Sequence, residues 1–407
     1  MDLFVIFIMN LLSSVGLYLL CTALVNLPQL PIWRNVMPSL VRHRCLPIAF
    51  AGMLAVVSLQ CFAAAPKPLP ALNIDIQQTS VSGISSGGFM SVQFQIAHSA
   101  IVKGAGIVAG GPYNCAQDNV LTATTQCSCT GAPLLLCEVT PTSTKVAALV
   151  SATRDRYHAS LIDDPANLTQ QRILTIAGGK DPLVPLPVAR QLADYYAQLG
   201  VPASQFSAVT LDKAGHTMPT QAYGNACSVT DEPYLGKCQF DSAKAILSWI
   251  YGPLQAPTVT KAKGKFIRFD QKPYIPADGA LSFLWKSGLD SSGWLYVPDS
   301  CAKGAACRLH IALHGCKQGQ SYLPLKTPPG GGLYYGTTFV KNAGYDRWAD
   351  NNNIVVVFPQ AVSIPGVNPN ACWDWWGYTD AHYADQQGVQ IRALRAMAGQ
   401  LSSGMAH

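Results

Sequence analysis

Gly83-Ile84-Ser85-Ser86-Gly87 sets a serine between two glycines in the pattern G-x-S-x-G. A neutral hydroxyl is a weak nucleophile, so a serine that cleaves bonds needs a base to take its proton and a carboxylate to orient that base. The five residues alone are a weak signal. They gain meaning in a strand–turn–helix setting, where a strained turn lifts the hydroxyl clear and small neighbours allow the bend. Here β-prone Thr79 to Ser82 precede the motif and the helix-like run Phe89 to Ala97 follows it. Asp181 stands after the buried-type stretch Arg172 to Ala177, and His216 after Phe206 to Leu211. Serine, aspartate and histidine thus come in the order, and behind the strands, that a nucleophilic triad requires. The rivals are less well placed. Asp163 and Asp164 have no preceding strand, and Asp212 lies too near His216 to come from a separate strand end. His98, His158 and His382 sit in helix-like or polar stretches, and His310 lies inside a strand. Ser86 is the rival nucleophile, but the motif centres on Ser85.

The anion formed when an acyl group is attacked needs preorganised donors, and losing one costs on the order of 10²–10³ in turnover. One N–H comes from the residue after the nucleophile, Ser86. The other is expected from Cys316, in Leu313-His314-Gly315-Cys316 after the apolar run Leu309 to Leu313. Such a turn ordinarily precedes the nucleophile in the chain; here it follows by more than two hundred residues. Cys372-Trp373-Asp374-Trp375-Trp376-Gly377-Tyr378 is the densest aromatic run. Aromatic clusters are usually core. Asn368-Pro369-Asn370 before it and Thr379-Asp380 after it are loop-forming, so part of the cluster is expected at a cleft. Trp373, Trp375 and Trp376 are the candidates for substrate contact.

Those residues need a scaffold. In the first half of the chain, strand-like and helical stretches alternate: Gly104 to Ala109, Arg172 to Ala177, a helix with Pro187 near its start and Gly200 after its end, Phe206 to Leu211, and a helix over Ala243 to Tyr251 capped by Asp241. After a Pro-rich bridge at about 252–264, Phe266 to Phe269 and Trp294 to Val297 alternate like an antiparallel edge pair. Leu309 to Leu313 and Ile354 to Phe358 are continuous apolar runs, as central parallel strands are. Ile391, Leu394, Met397, Ala398 and Leu401 mark a closing helix. The predicted architecture is a circularly permuted α/β-hydrolase, a mostly parallel sheet flanked by helices in one catalytic domain. The bridge joins the ancestral termini, which often lie close together on a domain surface.

Residues 37–65 read as a signal peptide: basic Arg42, His43 and Arg44, an apolar stretch from Cys45 to Leu59, then Ala63-Ala64-Ala65. Residues 1–36 form a further apolar extension, either a membrane segment or an artefact of the gene's assigned start, and residues 66–407 form the catalytic domain. Ten cysteines remain beyond the leader, an even number that points to disulfides in an exported chain. A Cys316–Cys372 bridge is expected among them. No paired C-x-x-C is present, so neither a metal nor another cofactor is expected. The net charge of +6 is spread without a dense basic run, which argues against nucleic-acid binding.

The motifs Gly83 to Met90, Gly215-His216-Thr217, His314-Gly315-Cys316 with Gln318-Gly319, and Cys372 to Trp376 resemble secreted poly(3-hydroxybutyrate) depolymerases, and most closely the circularly permuted single-domain type. The resemblance runs over nearly all of residues 71–402. It implies an extracellular or periplasmic serine esterase acting on polyhydroxyalkanoates through an acyl-enzyme, with Ser85, Asp181 and His216 as triad and the N–H groups of Ser86 and Cys316 as oxyanion donors. It also implies a tryptophan-rich loop bordering the cleft. A monomer with a polyester partner and no stable membrane partner is expected. Adsorption to solid polymer would use the catalytic domain's own surface. The competing readings are a feruloyl or acetyl esterase acting on plant polysaccharide and a non-catalytic binder that retains the fold.

Overall fold

The computed structural model describes residues 65–257, 263–276, 287–328 and 331–405. The expected leader segments, residue 65 apart, and the middle of the Pro-rich bridge, 258–262, lie outside the described residues.

Eleven strands are described: β1 (Ile74–Ile84), β2 (Val102–Val108), β3 (Arg172–Gly178), β4 (Phe206–Leu211), β5 (Met218–Thr220), β6 (Asn225–Ala226), β7 (Leu235–Lys237), β8 (Lys265–Asp270), β9 (Ser292–Val297), β10 (Cys307–Leu313) and β11 (Ile354–Phe358). Eight of them form one sheet in the order β4-β3-β2-β1-β10-β11-β9-β8, and β5, β7 and β6 form a small second sheet. From β4 to β11 every pairing is parallel; only β9 runs against its neighbours.

The chain enters this sheet in the middle. Read from the β8 edge, the order is that of an α/β-hydrolase whose elbow strand, β1, has become the first strand of the sheet in the chain. The five principal helices are α1 (Ser86–Ala97), α2 (Val146–His158), α3 (Leu186–Gln198), α4 (Ser242–Tyr251) and α5 (Val389–Ser402). In the unpermuted order α5 would lead directly into β1. The two still meet: Leu72 N–H donates to Leu401 C=O at 2.9 Å. The permutation therefore altered connectivity and left the packing in place.

Strand alternation builds a core on each face of the sheet. Along β11, Val355 and Val357 point to the side of α1, α3 and α5, while Ile354, Val356 and Phe358 point to the side of α4. Ile391, Leu394, Met397, Ala398 and Leu401 of α5 are all fully buried. Burying each leucine-sized side chain contributes roughly 1.5–3 kcal/mol. The ten cysteines form five disulfides: Cys115–Cys127, Cys129–Cys137, Cys227–Cys238, Cys301–Cys307 and Cys316–Cys372. Among the described residues no helix is long and apolar enough to cross a membrane, and no cluster of histidine, cysteine, aspartate and glutamate could hold a metal ion.

Candidate active site

β1 and β10 are neighbours, with Gly83 opposite Leu313, so the turns that follow them emerge side by side. Ser85 occupies the first turn at φ 57 and ψ −123, a strained backbone for a non-glycine residue, and its N–H donates to Val108 C=O at 2.9 Å. The flanking glycines are there because backbone crowds them. A Cβ on Gly83 would lie 2.3 Å from the Gly87 oxygen, and one on Gly87 would lie 2.4 Å from the His314 oxygen. Gly87→Ala is thus expected to destabilise the fold by about 3 kcal/mol, because neither backbone can yield without moving the turn. A fall in the urea unfolding midpoint would register this, and an unchanged midpoint would refute the packing argument.

Asp181 and His216 leave the adjacent strands β3 and β4. Asp181 Oδ1 accepts from the N–H groups of Leu183 (2.8 Å) and Val184 (2.9 Å). Its other oxygen is left for His216 Nδ1, at 2.8 Å. Both side chains are almost wholly buried, and the His216 backbone is held by Thr230 Oγ1 at 2.8 Å. Nδ1 must donate to the carboxylate, so Nε2 keeps its lone pair. Ser85 and His216 line one cavity of about 380 Å³, together with Gly315 and Cys316. Ser86 does not compete for the nucleophile's place. Its side chain is buried and accepts the Trp373 N–H at 3.3 Å.

The turn after β10 is fixed from several sides. The ring of His314 is fully buried; its Nε2 accepts from Ala361 N–H at 3.1 Å, so Nδ1 carries the proton and donates to Gly315 C=O at 2.7 Å. Burial lowers its pKa to about 4, which keeps that tautomer neutral. Gln318 accepts from Gly315 N–H at 2.7 Å and donates to the carbonyls of Pro233 (3.0 Å) and Tyr234 (3.2 Å). The Cys316–Cys372 disulfide ties the turn to the tryptophan loop. Elsewhere in the sheet His310 is buried between the Ser80 and Ser82 hydroxyls, its pKa lowered to about 3 by desolvation.

The tryptophan loop divides. Trp375 and Trp376 line the cavity, Trp375 stacking on Phe89 with ring centroids 4.1 Å apart. Trp373 is not among the lining residues. It is 0% exposed and packs against His314, so of the three candidates for substrate contact Trp373 is withdrawn, and Trp375 and Trp376 remain at the cleft. The cause is Asp374, whose buried carboxylate accepts from the N–H groups of Gly377, Tyr378 and Thr379 and from the Thr379 hydroxyl. That turn fixes the loop with Trp373 against His314 and Trp375 against Phe89. Burial pushes the Asp374 pKa up to about 6, against the pull of these hydrogen bonds. Among the cleft residues that the sequence did not single out are Tyr234, whose ring meets His216 edge-on, and Lys317, while Asn368 was noted only as part of the loop before the aromatic cluster. Asn368 bonds both the N–H and the C=O of Cys372. The disulfide-stapled excursion after Cys115 supplies a further wall through Val120, Thr124 and Ala132.

No protein-family model matches the chain. Over 340 residues it is 41% identical to a poly(3-hydroxybutyrate) depolymerase of Delftia acidovorans, a match that covers 83% of this chain and 62% of that protein. Over 374 residues it is 36% identical to a polyhydroxybutyrate depolymerase of Talaromyces funiculosus, covering 88% of this chain and 98% of that protein. The crystal structure of PHB depolymerase from Penicillium funiculosum superposes with a TM-score of 0.70 at 33% identity, over 84% of this chain and 100% of that one. A PHB depolymerase variant complexed with an R3HB trimer gives a TM-score of 0.71 at the same identity and coverage.

Proposed function

This chain belongs to the poly(3-hydroxybutyrate) depolymerase family, and from that premise we propose that it is an exported serine esterase hydrolysing polyhydroxyalkanoate ester bonds. The observation that carries the reading is the Asp181–His216 hydrogen bond of 2.8 Å, with Ser85 and His216 lining the same largely apolar cavity. His216 Nε2 takes the Ser85 proton as Oγ bonds to the ester carbon. The carbonyl oxygen becomes an oxyanion held by the N–H groups of Ser86 and Cys316. The carbon–oxygen bond then breaks, and the imidazolium returns the proton to the departing alkoxide. Water repeats the sequence and frees Ser85. Trp375, Trp376 and Phe89 supply an apolar wall suited to an aliphatic polyester strand.

Purified protein is expected to clear a suspension of amorphous poly(3-hydroxybutyrate). Release of ferulate or acetate from plant polysaccharide, with no clearing, would overturn this substrate in favour of the alternative esterase. The five disulfides support export. N-terminal sequencing of material recovered outside the cell tests the leader, with cleavage expected after Ala65.

A further inference from the structure

Among the described residues that line the cavity, Lys317 carries the one permanent charge, and no aspartate, glutamate or arginine is found with it. It sits directly after the oxyanion residue Cys316, half-buried, with its backbone at φ 64. That left-handed conformation favours glycine or asparagine, so a lysine there is held against its backbone preference. The backbone cannot drift, because Lys317 N–H donates to Asn370 C=O at 2.6 Å while its neighbours are fixed by the Cys316–Cys372 disulfide and by Gln318. Lys317 acts electrostatically on Asp231, but Asp231 is already paired with the Lys326 ammonium. Among the described residues no carboxylate forms an ion pair with Lys317.

We propose that Lys317 is a specificity-determining residue that recognises the terminal carboxylate of short hydroxy-acid oligomers, so that the enzyme favours acid-ended chains over capped ones. The inference rests on the ester-hydrolase reading above. In an oligomer of 3-hydroxy acids, the last ester has the free acid on its leaving-group side, three bonds from the departing oxygen. The carboxylate therefore travels with the product and takes no part in bond making or breaking. An ammonium beside the oxyanion turn meets it in a cleft whose other walls are neutral, where a charge-assisted contact outweighs a solvated surface pair.

The test compares kcat/KM for a 3-hydroxybutyrate trimer as free acid and as methyl ester, in the wild type, Lys317→Asn and Lys317→Arg. Asparagine suits the left-handed backbone and arginine keeps the charge. The acid-to-ester ratio is expected to fall about 5-fold in Lys317→Asn, through KM, and to survive in Lys317→Arg. The wild-type ratio is expected to decline as salt is raised, since a partly exposed pair is screened. An unchanged ratio in Lys317→Asn, with both substrates turned over, would overturn the role of Lys317 alone. Failure of the wild type to cleave either substrate would overturn the ester-hydrolase reading and this inference with it.

Discussion

Ser85→Ala is expected to lower kcat on a short p-nitrophenyl ester by on the order of 10⁶-fold while leaving the thermal unfolding midpoint within about 1 °C of wild type. Both halves follow from the geometry. Ser85 is the one residue of the elbow that is not buried, and no hydrogen bond among the described residues uses its hydroxyl. Its removal therefore orphans no partner. Alanine and serine carry the same Cβ, so the strain at φ 57 is unchanged. The neighbouring hydroxyl cannot take over, because Ser86 is buried and engaged by the Trp373 N–H. What survives is the residual catalysis of the oxyanion donors and substrate binding, on the order of 10³ over water. Rate constants within tenfold of wild type would remove Ser85 from the chemistry. A collapsed unfolding midpoint would mean the hydroxyl has a structural role that the hydrogen bonding does not reveal.

The same features decide what could be read in advance. The positions of Ser85, Asp181 and His216 at strand ends could be read in advance because a β-prone stretch precedes the first and more apolar stretches precede the other two, and the ends of parallel strands converge on one edge. Permutation was legible because motif order along the chain is independent of folding detail; the Leu72–Leu401 contact is its structural counterpart. The Cys316–Cys372 pairing follows from two loops that flank a single cleft. The tryptophan loop was not legible at residue level. Trp373 and Trp375 are separated by one residue in an irregular segment, where no period of 2 or 3.6 assigns faces, and the turn that sets them against different neighbours is held by the hydrogen bonds to Asp374. The small sheet escaped for a similar reason. β5, β6 and β7 span 3, 2 and 3 residues, too few to carry an alternation. Lys317 is invisible in composition, since only its left-handed backbone and its cleft position set it apart.

Asp181→Asn is the sharper test of the base, because it changes a proton's position while preserving shape. The carboxamide must keep satisfying Leu183 N–H and Val184 N–H, both now held by Oδ1. Its single oxygen goes there, which turns the NH₂ toward His216 Nδ1. A donor facing Nδ1 requires Nδ1 to accept, so the imidazole proton moves to Nε2, the atom that has to take the proton of Ser85. The base is blocked in its ground state, and the imidazolium that forms during attack loses its counter-charge. A fall of about 10⁴-fold in kcat is expected, with KM little altered, because neither Asp181 nor its replacement lines the cavity. Stability should change little, since both backbone donors keep their acceptor. Asp181→Ala would differ. It strands the buried Val184 N–H and the half-buried Leu183 N–H as well as Nδ1, at roughly 1–3 kcal/mol for each fully buried unsatisfied group, and lowers the unfolding midpoint together with kcat. If the asparagine variant turned over within tenfold of wild type, the 2.8 Å contact would be an ordinary buried hydrogen bond, and the base would have to be oriented by the Thr230 anchor on the His216 backbone alone.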